Sequence, residues 1–378
     1  MRCSLAILAI AASVAAQNST SNTTLASVLT SNSNLSNLTS LVTSLNLVDT
    51  LSQLTNVTIL APSNAAFTKF MNSSVANTTL GDKGLLTALL TYHVLNGTIN
   101  SSQIASMPTF VPTHLTNELV SNVTDGQRVE ALNSSGTISF LSGLLTNSTV
   151  TQADITYNNG IIHVIDTVLE PPQDVAETAE AFNLTAIVGA LTTLSLADIV
   201  DETSDLTIFA PNNDAFQAIA SVLSNASTDT LKSVLTYHVI PGKVLYSPLI
   251  ENGTQTTLNN STLTLTVANG SVFVNQARVV TPNVLVANGV VHVIDSVLNP
   301  GSNATAGSNS STAFPNATSA SGVPFTSGVP TPTSVASVPS QVTAASTTGS
   351  SSSAGAAKAM ATGMFGAGVL FAGALLAL

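Results

Sequence analysis

The chain has 378 residues, with 8 Lys+Arg against 19 Asp+Glu, a net charge of -11, 44% hydrophobic residues and only 7% charged ones. That length holds two ordinary domains and a tail. So acidic a chain has no basic patch to lay over phosphates, which excludes nucleic acid as a partner, and its charge density is too low to be what keeps it in solution.

The chain opens with MRCSLAILAIAASVAAQ, in which Arg2 precedes an apolar run from Leu5 to Val14 and the small residues Ala15 and Ala16. This is the pattern of a secretory leader over residues 1–16, cut after Ala16, and the run is too short to span a bilayer. The single cysteine, Cys3, lies inside that leader. The secreted chain is therefore expected to enter an oxidising compartment without a disulfide, a zinc-thiolate site or a cysteine nucleophile. Beyond it, Asn-x-Ser/Thr sequons recur throughout: Asn18, Asn22, Asn34, Asn37, Asn56, Asn72, Asn77, Asn96, Asn100, Asn122, Asn133, Asn147, Asn183, Asn225, Asn252, Asn260, Asn269, Asn303, Asn309 and Asn316. At this density, behind a leader, they predict a coat of N-glycans that supplies the missing solubility.

Three blocks then occur twice in the same order. NVTILAPSNAAF from Asn56 matches DLTIFAPNNDAF from Asp205; LLTALLTYHVLNG from Leu85 matches LKSVLTYHVIPG from Leu231; NGIIHVIDTVLEPP from Asn159 matches NGVVHVIDSVLNP from Asn288. Internal duplication predicts two domains, residues 22–171 and 172–300, meeting at Pro171-Pro172. Ahead of the first block, Leu35, Leu38, Leu41, Val42 and Leu45 fall at helical spacing, as do Leu184, Ile187, Val188, Leu191 and Leu194 in the second copy. The first block predicts a short strand, a proline, and a helix capped by Asn64 or Asn213. TLTLTV and SVFV around Asn269-Gly270 predict a hairpin. The acidic group Asp198, Asp201, Glu202 and Asp205 predicts a solvated turn.

From Gly301 the chain turns to Ser, Thr, Ala, Gly, Pro and Val without apolar periodicity, which predicts a disordered, O-glycosylated stalk over residues 301–355. The last residues, 356–378, form an uncharged apolar tail after small residues and a spacer with Lys358. That pattern predicts replacement of the tail by a GPI lipid at Ser353 or Gly355.

The three blocks resemble the hallmark segments of the fasciclin (FAS1) family: TIFAPNNDAF its first box, NGVVHVIDSVL its second, YHVIPG the tyrosine-histidine segment between them. The resemblance covers both repeats, Thr24 to Pro300, and the second repeat is the closer. The first reads APSNAAF without the acidic residue and YHVLNG without Pro-Gly. The family implies an α+β fold, here two tandem domains, each a β-sandwich wedge with flanking helices, in extracellular adhesion and matrix proteins. It also implies that Tyr92, His93, Tyr237 and His238 take part in adhesion.

The residues themselves favour a different role for that pair. His238 lies four residues after Val234 and His93 four after Leu89, on the apolar side of a helix, where an imidazole needs a hydrogen-bond partner more than a ligand. In the last block His292 shares a strand face with Val290 and Ile294 while Asp295 faces away, so neither His292 with Asp295 nor His163 with Asp166 makes a dyad. His93 with His163 is two ligands short of a metal site. No nucleophile elbow, zincin motif or phosphate loop occurs. The sequence thus predicts a non-catalytic surface glycoprotein without cofactor or metal. Its partners would be cell-surface or matrix proteins or wall glycans, and a lipid anchor would hold it on the outer face of the plasma membrane or in the wall. The alternatives are a structural wall or vacuolar membrane component, and a glycan-acting enzyme.

Overall fold

The structure is a computed structural model that describes residues 23–73, 76–118, 120–302, 313–332 and 335–339. The expected leader, the expected C-terminal attachment signal with Ser353 and Gly355, and the sequons at Asn18, Asn22, Asn303 and Asn309 lie outside them.

Each repeat is a helical cap followed by one sheet. In the first repeat the strands are β1 (Val57–Pro62), β2 (Val94–Asn96), β3 (Thr109–Pro112), β4 (Arg128–Ser134), β5 (Thr137–Leu141), β6 (Asn147–Tyr157) and β7 (Gly160–Ile165). In the second they are β8 (Leu206–Pro211), β9 (Val239–Ile240), β10 (Gly253–Thr256), β11 (Thr262–Ala268), β12 (Ser271–Val274), β13 (Ala277–Val286) and β14 (Gly289–Ile294). The strand orders are the same, β2-β1-β7-β6-β5-β4-β3 and β9-β8-β14-β13-β12-β11-β10. The first and last blocks of each repeat are neighbours: β1 runs parallel to β7, pairing Ile59 with Ile162, and β8 parallel to β14, pairing Ile208 with Val291. All six residues of β1, β8 and β14 are buried, as a parallel pair covered on both faces requires. Gly160 and Gly289 open the last block because a Cβ there would lie 2.1 Å from the Val57 carbonyl oxygen and 1.9 Å from that of Leu206.

The long strands β6 and β13 each carry irregular registers that bend them, at Gln152–Ile155 and Thr281–Val284. The bend folds the sheet over itself into a wedge. Its ends meet at a single bridge, Leu95 with Thr113, in the first repeat, and where Leu258 N–H donates to the Val239 carbonyl at 2.8 Å in the second. One core fills the fold of the wedge, around Tyr92 and Phe140 or Tyr237 and Phe209; another lies between the parallel strands and the helices. The hairpin is present as expected: Asn269 and Gly270 sit at φ 51 and 74 between β11 and β12.

The helix cap falls one residue earlier than expected. Ser63 and Asn212, in extended backbone after the proline, accept from the N–H of Ala66 and Ala215. Asn64 and Asn213 instead fasten the preceding helix, each accepting from its first turn, at Asn37 and Ala186, 3.0 and 3.1 Å away.

The stretch from Gly301 also departs from expectation. Its described residues form a strap on the second domain, with Phe314, Val323, Phe325, Val329 and Val338 packed on that domain's helix-side core. Phe325 meets Phe216 edge to face at 6.3 Å, Ser221 N–H donates to the Thr318 carbonyl, and Ala336 N–H to that of Ala181 at 2.8 Å. Gly189 makes the approach possible: a Cβ there would lie 1.7 Å from the Phe325 carbonyl oxygen. Five apolar side chains spread among Ser, Thr and Pro have no period to read, yet they suffice to cover a groove.

The two repeats are docked. Gln127, fully buried, donates from Nε2 to the Val286 carbonyl at 3.0 Å, and Asn122 N–H donates to the Ala287 carbonyl at 2.7 Å. Phe110 stacks on Tyr246 with ring centroids 4.0 Å apart. Leu141 and Leu145 of the first repeat belong to the second repeat's helix-side core. The acidic group read as a solvated turn takes part: Ala197–Glu202 is helical, and the Asp205 carboxylate accepts from Thr124 N–H at 2.8 Å and from its hydroxyl.

Candidate interaction surface

The tyrosine-histidine pairs lie inside the protein: Tyr92 and Tyr237 are 0% and 2% exposed, His93 and His238 3% and 1%. Each histidine closes the C-terminal end of a helix. His93 donates from Nδ1 to the Leu89 carbonyl at 2.7 Å and accepts at Nε2 from Leu169 N–H at 2.9 Å; His238 does the same with Val234 and Leu298. One nitrogen donates and the other accepts, so the ring is neutral. Burial drives both rings down to a pKa of about 4. Tyr92 donates to the Arg128 carbonyl and Tyr237 to that of Thr262, tying the same helix to the wedge.

The histidines of the last block hold the bends. His163 accepts at Nδ1 from Asp154 N–H, at the left-handed residue of the β6 bulge, and donates from Nε2 to the Ile99 carbonyl at 2.9 Å. His292 repeats this with Asn283 and Leu245. Asp166 and Asp295 face away and accept from Thr149 N–H and Arg278 N–H. All four imidazoles thus have both nitrogens committed to backbone. Among the described residues no group of three or more His, Cys, Asp or Glu is placed to hold a metal.

A groove of about 640 Å³ is lined by Met107, Phe110 and Arg128 from the first repeat and by Lys243, Tyr246 and Leu249 from the second. Tyr246 is 4% exposed; its hydroxyl and Arg128 Nε are buried without a hydrogen-bond partner. On β4 beside Arg128, Glu130 is 1% exposed with Oε2 unpartnered, and burial pushes its pKa up to about 7. It pairs across the sheet with Phe110 and Leu141, both of which touch the second repeat.

None of these residues stood out in the sequence, although a signal was present. Shared hydrogen bonds align Tyr246 with Asn100 and Arg128 with Thr262: Tyr92 and Tyr237 donate to the carbonyls of the latter pair, and just before the former pair Leu245 N–H and Ile99 N–H donate equivalent bonds to the Thr207 and Thr58 hydroxyls. The repeats therefore differ where they meet. The sequons face outward: every sequon asparagine whose burial is described is exposed, except Asn122 and Asn133, which are half-buried.

Two tandem wedges of identical strand order, each with its first and last blocks in parallel, define a duplicated module. The fasciclin domain model matches residues 33–171 and 182–300, and the chain belongs to the fasciclin family. It is similar to a fasciclin-like arabinogalactan protein of Arthroderma benhamiae (38% identical over 257 residues, 68% of this chain and 61% of that protein). It is also similar to fasciclin-like arabinogalactan proteins of Cercospora beticola (32%, 68% and 71%) and Phaeosphaeria nodorum (30%, 74% and 89%). The match thus spans about three-fifths of the Arthroderma protein. Among solved structures, a FAS1 domain pair from the insect cell adhesion molecule Fasciclin I aligns at 21% identity and a TM-score of 0.34, covering 71% of this chain and 98% of that one.

Proposed function

We propose that the protein is a cell-surface glycoprotein that acts by binding wall or matrix components, held outside the cell by a lipid anchor at Ser353 or Gly355. The observation that carries this reading is the commitment of every block histidine to backbone. The residues that look most like chemistry are pegs, and the accessible surface is a docked pair of domains under outward-facing sequons. Membership of the fasciclin family and likeness to fungal fasciclin-like arabinogalactan proteins support the same reading. Two domains on one anchored chain, and many chains on one surface, sum weak contacts through effective concentration.

The test is a deletion strain assayed for adhesion, with the protein imaged on intact cells and treated with phosphatidylinositol-specific phospholipase or wall glucanase. Surface labelling, enzymatic release and reduced adhesion are expected. Retention of the protein in internal membranes, or mature protein that still carries the Met360–Leu378 segment by mass spectrometry, overturns the reading.

A further inference from the structure

The groove between the domains has a composition at odds with the rest of the chain. In a protein of net charge -11 with 8 Lys+Arg, two of those cations, Arg128 and Lys243, line this one groove from different domains, alongside the carboxylates of Asp125 and Asp205. None of the three acidic neighbours pairs with Arg128: the Asp205 carboxylate accepts from Thr124, Asp125 is exposed at the rim, and Glu130 on the same strand keeps Oε2 unpartnered. Arg128 Nε and the Tyr246 hydroxyl have been taken out of water without gaining a partner, which is unfavourable for each group. A buried pair left in this state is what a site looks like before the ligand that completes it arrives.

We propose that the interdomain groove is a binding site for an acidic glycan, with Arg128 and Lys243 receiving the carboxylate of a uronic acid residue. The proposal rests on the binding role argued above and names the ligand class. A guanidinium presents parallel N–H donors that match a carboxylate, and Lys243, whose Nζ donates to Gln255 Oε1 at 3.1 Å, adds a point charge from the opposite wall. About 640 Å³ accommodates one or two sugar residues. Met107 and Leu249, 65% and 64% exposed, flank the groove with the flat apolar surface that a pyranose C–H face covers. The groove is open, without the enclosed apolar pocket that anchors a peptide side chain. Because each domain supplies one cation, only the docked pair makes the site.

The experiment is titration calorimetry of the full secreted chain at low ionic strength with tetra-galacturonate, its methyl-esterified counterpart and a glutamate tetrapeptide. Binding of the acid at least tenfold tighter than of the ester, and weakening with added salt, is expected. Lys243→Ala, at an exposed position, and Arg128→Ala should each weaken it tenfold or more, and Lys232→Ala should leave it unchanged. Arg128→Ala is scored only with an unaltered melting temperature; Lys243→Ala decides the matter otherwise. No binding of the acid, equal loss in Lys232→Ala, or tighter binding of the glutamate peptide overturns the proposal. Cell adhesion measured on the same variants separates the two readings: adhesion retained without glycan binding sinks the groove alone, and adhesion absent in wild type sinks the binding role.

Discussion

Four histidines perform two tasks twice, and the burial of three of them, His93, His238 and His292, as neutral rings makes the protein sensitive to acid. His93, His238 and His292 have folded pKa values of about 4, below the ordinary 6.5. The unfolded chain therefore binds more protons between these values, so the stability they contribute is complete above about pH 6.5 and is lost as pH falls toward 4. Replacing His238 by Ala removes packing and orphans the Leu298 N–H and Val234 carbonyl, an expected loss of about 2–4 kcal/mol read as a lower melting temperature. An unchanged melting temperature with lost adhesion would show that the pair is a contact surface after all. Glu130 acts in the opposite sense. Its folded pKa of about 7 lies above its ordinary value of 4.5, so the folded state holds the extra proton, and stability falls as pH rises through that window. The loss is on the order of 3 kcal/mol by pH 7.5. Glu130→Gln should be more stable than wild type at pH 8 and indistinguishable at pH 4, measured by thermal unfolding across pH.

At the scale of an element, the strap is the instructive case. Composition from Gly301 onward promises nothing but an extended spacer, and a single glycine in a helix 136 residues from Phe325 decides otherwise (Gly189 in Thr185–Thr193). Gly189→Ala sets a Cβ against the Phe325 carbonyl. A helix surface would ordinarily gain up to about 1 kcal/mol from this exchange. Here the expected outcome is a displaced strap, with faster proteolysis near residues 313–339, increased dye binding to the exposed Phe216 groove, and a melting temperature that does not rise. A chain ended at residue 300 should show the same dye binding. Stabilisation by Gly189→Ala with the strap still protected would mean the contact is incidental.

For the molecule as a whole, the question is whether two domains behave as one. Gln127 lies wholly inside the interface, where its amide bonds the Val286 carbonyl and its oxygen accepts from Arg128 N–H. Interfaces this buried couple domains, whereas linked domains without them move independently. Calorimetry of the wild type should show one unfolding transition. Gln127→Ala, which takes the side-chain donor away from the Val286 carbonyl, should split it into two separated by several degrees. Two transitions already present in wild type would contradict the coupling. The same interface bears on the glycan coat: Asn122 donates from Nδ2 to the Glu202 carbonyl at 3.3 Å, and that nitrogen is the one a glycan would modify. Peptide mapping of the secreted protein should find Asn122 bare while exposed sequons such as Asn183 and Asn252 are occupied. A fully occupied Asn122 would require the domains to part.

The three repeated blocks were legible because their interactions are local and doubled. A histidine four residues after the carbonyl it bonds, an Asn-Gly turn between alternating strands, and a strand ended by proline all write themselves into short stretches, and two copies separate pattern from accident. The helical spacing from Leu35 and from Leu184 was equally plain, since one face of each helix meets one core. The position of the cap was misread by one residue because APSN and APNN offer two side chains of similar chemistry, and only backbone dihedrals separate them. The strap, the interface and the groove could not be read in this way. Phe325 on Gly189, Tyr246 on Phe110 and Glu130 between Phe110 and Leu141 join residues far apart in the chain, at positions where the repeats differ. Their meaning comes from which surfaces the fold brings face to face, and a single sequence carries no period or spacing for that: local patterns fix each domain, and tertiary packing alone decides what the two domains enclose.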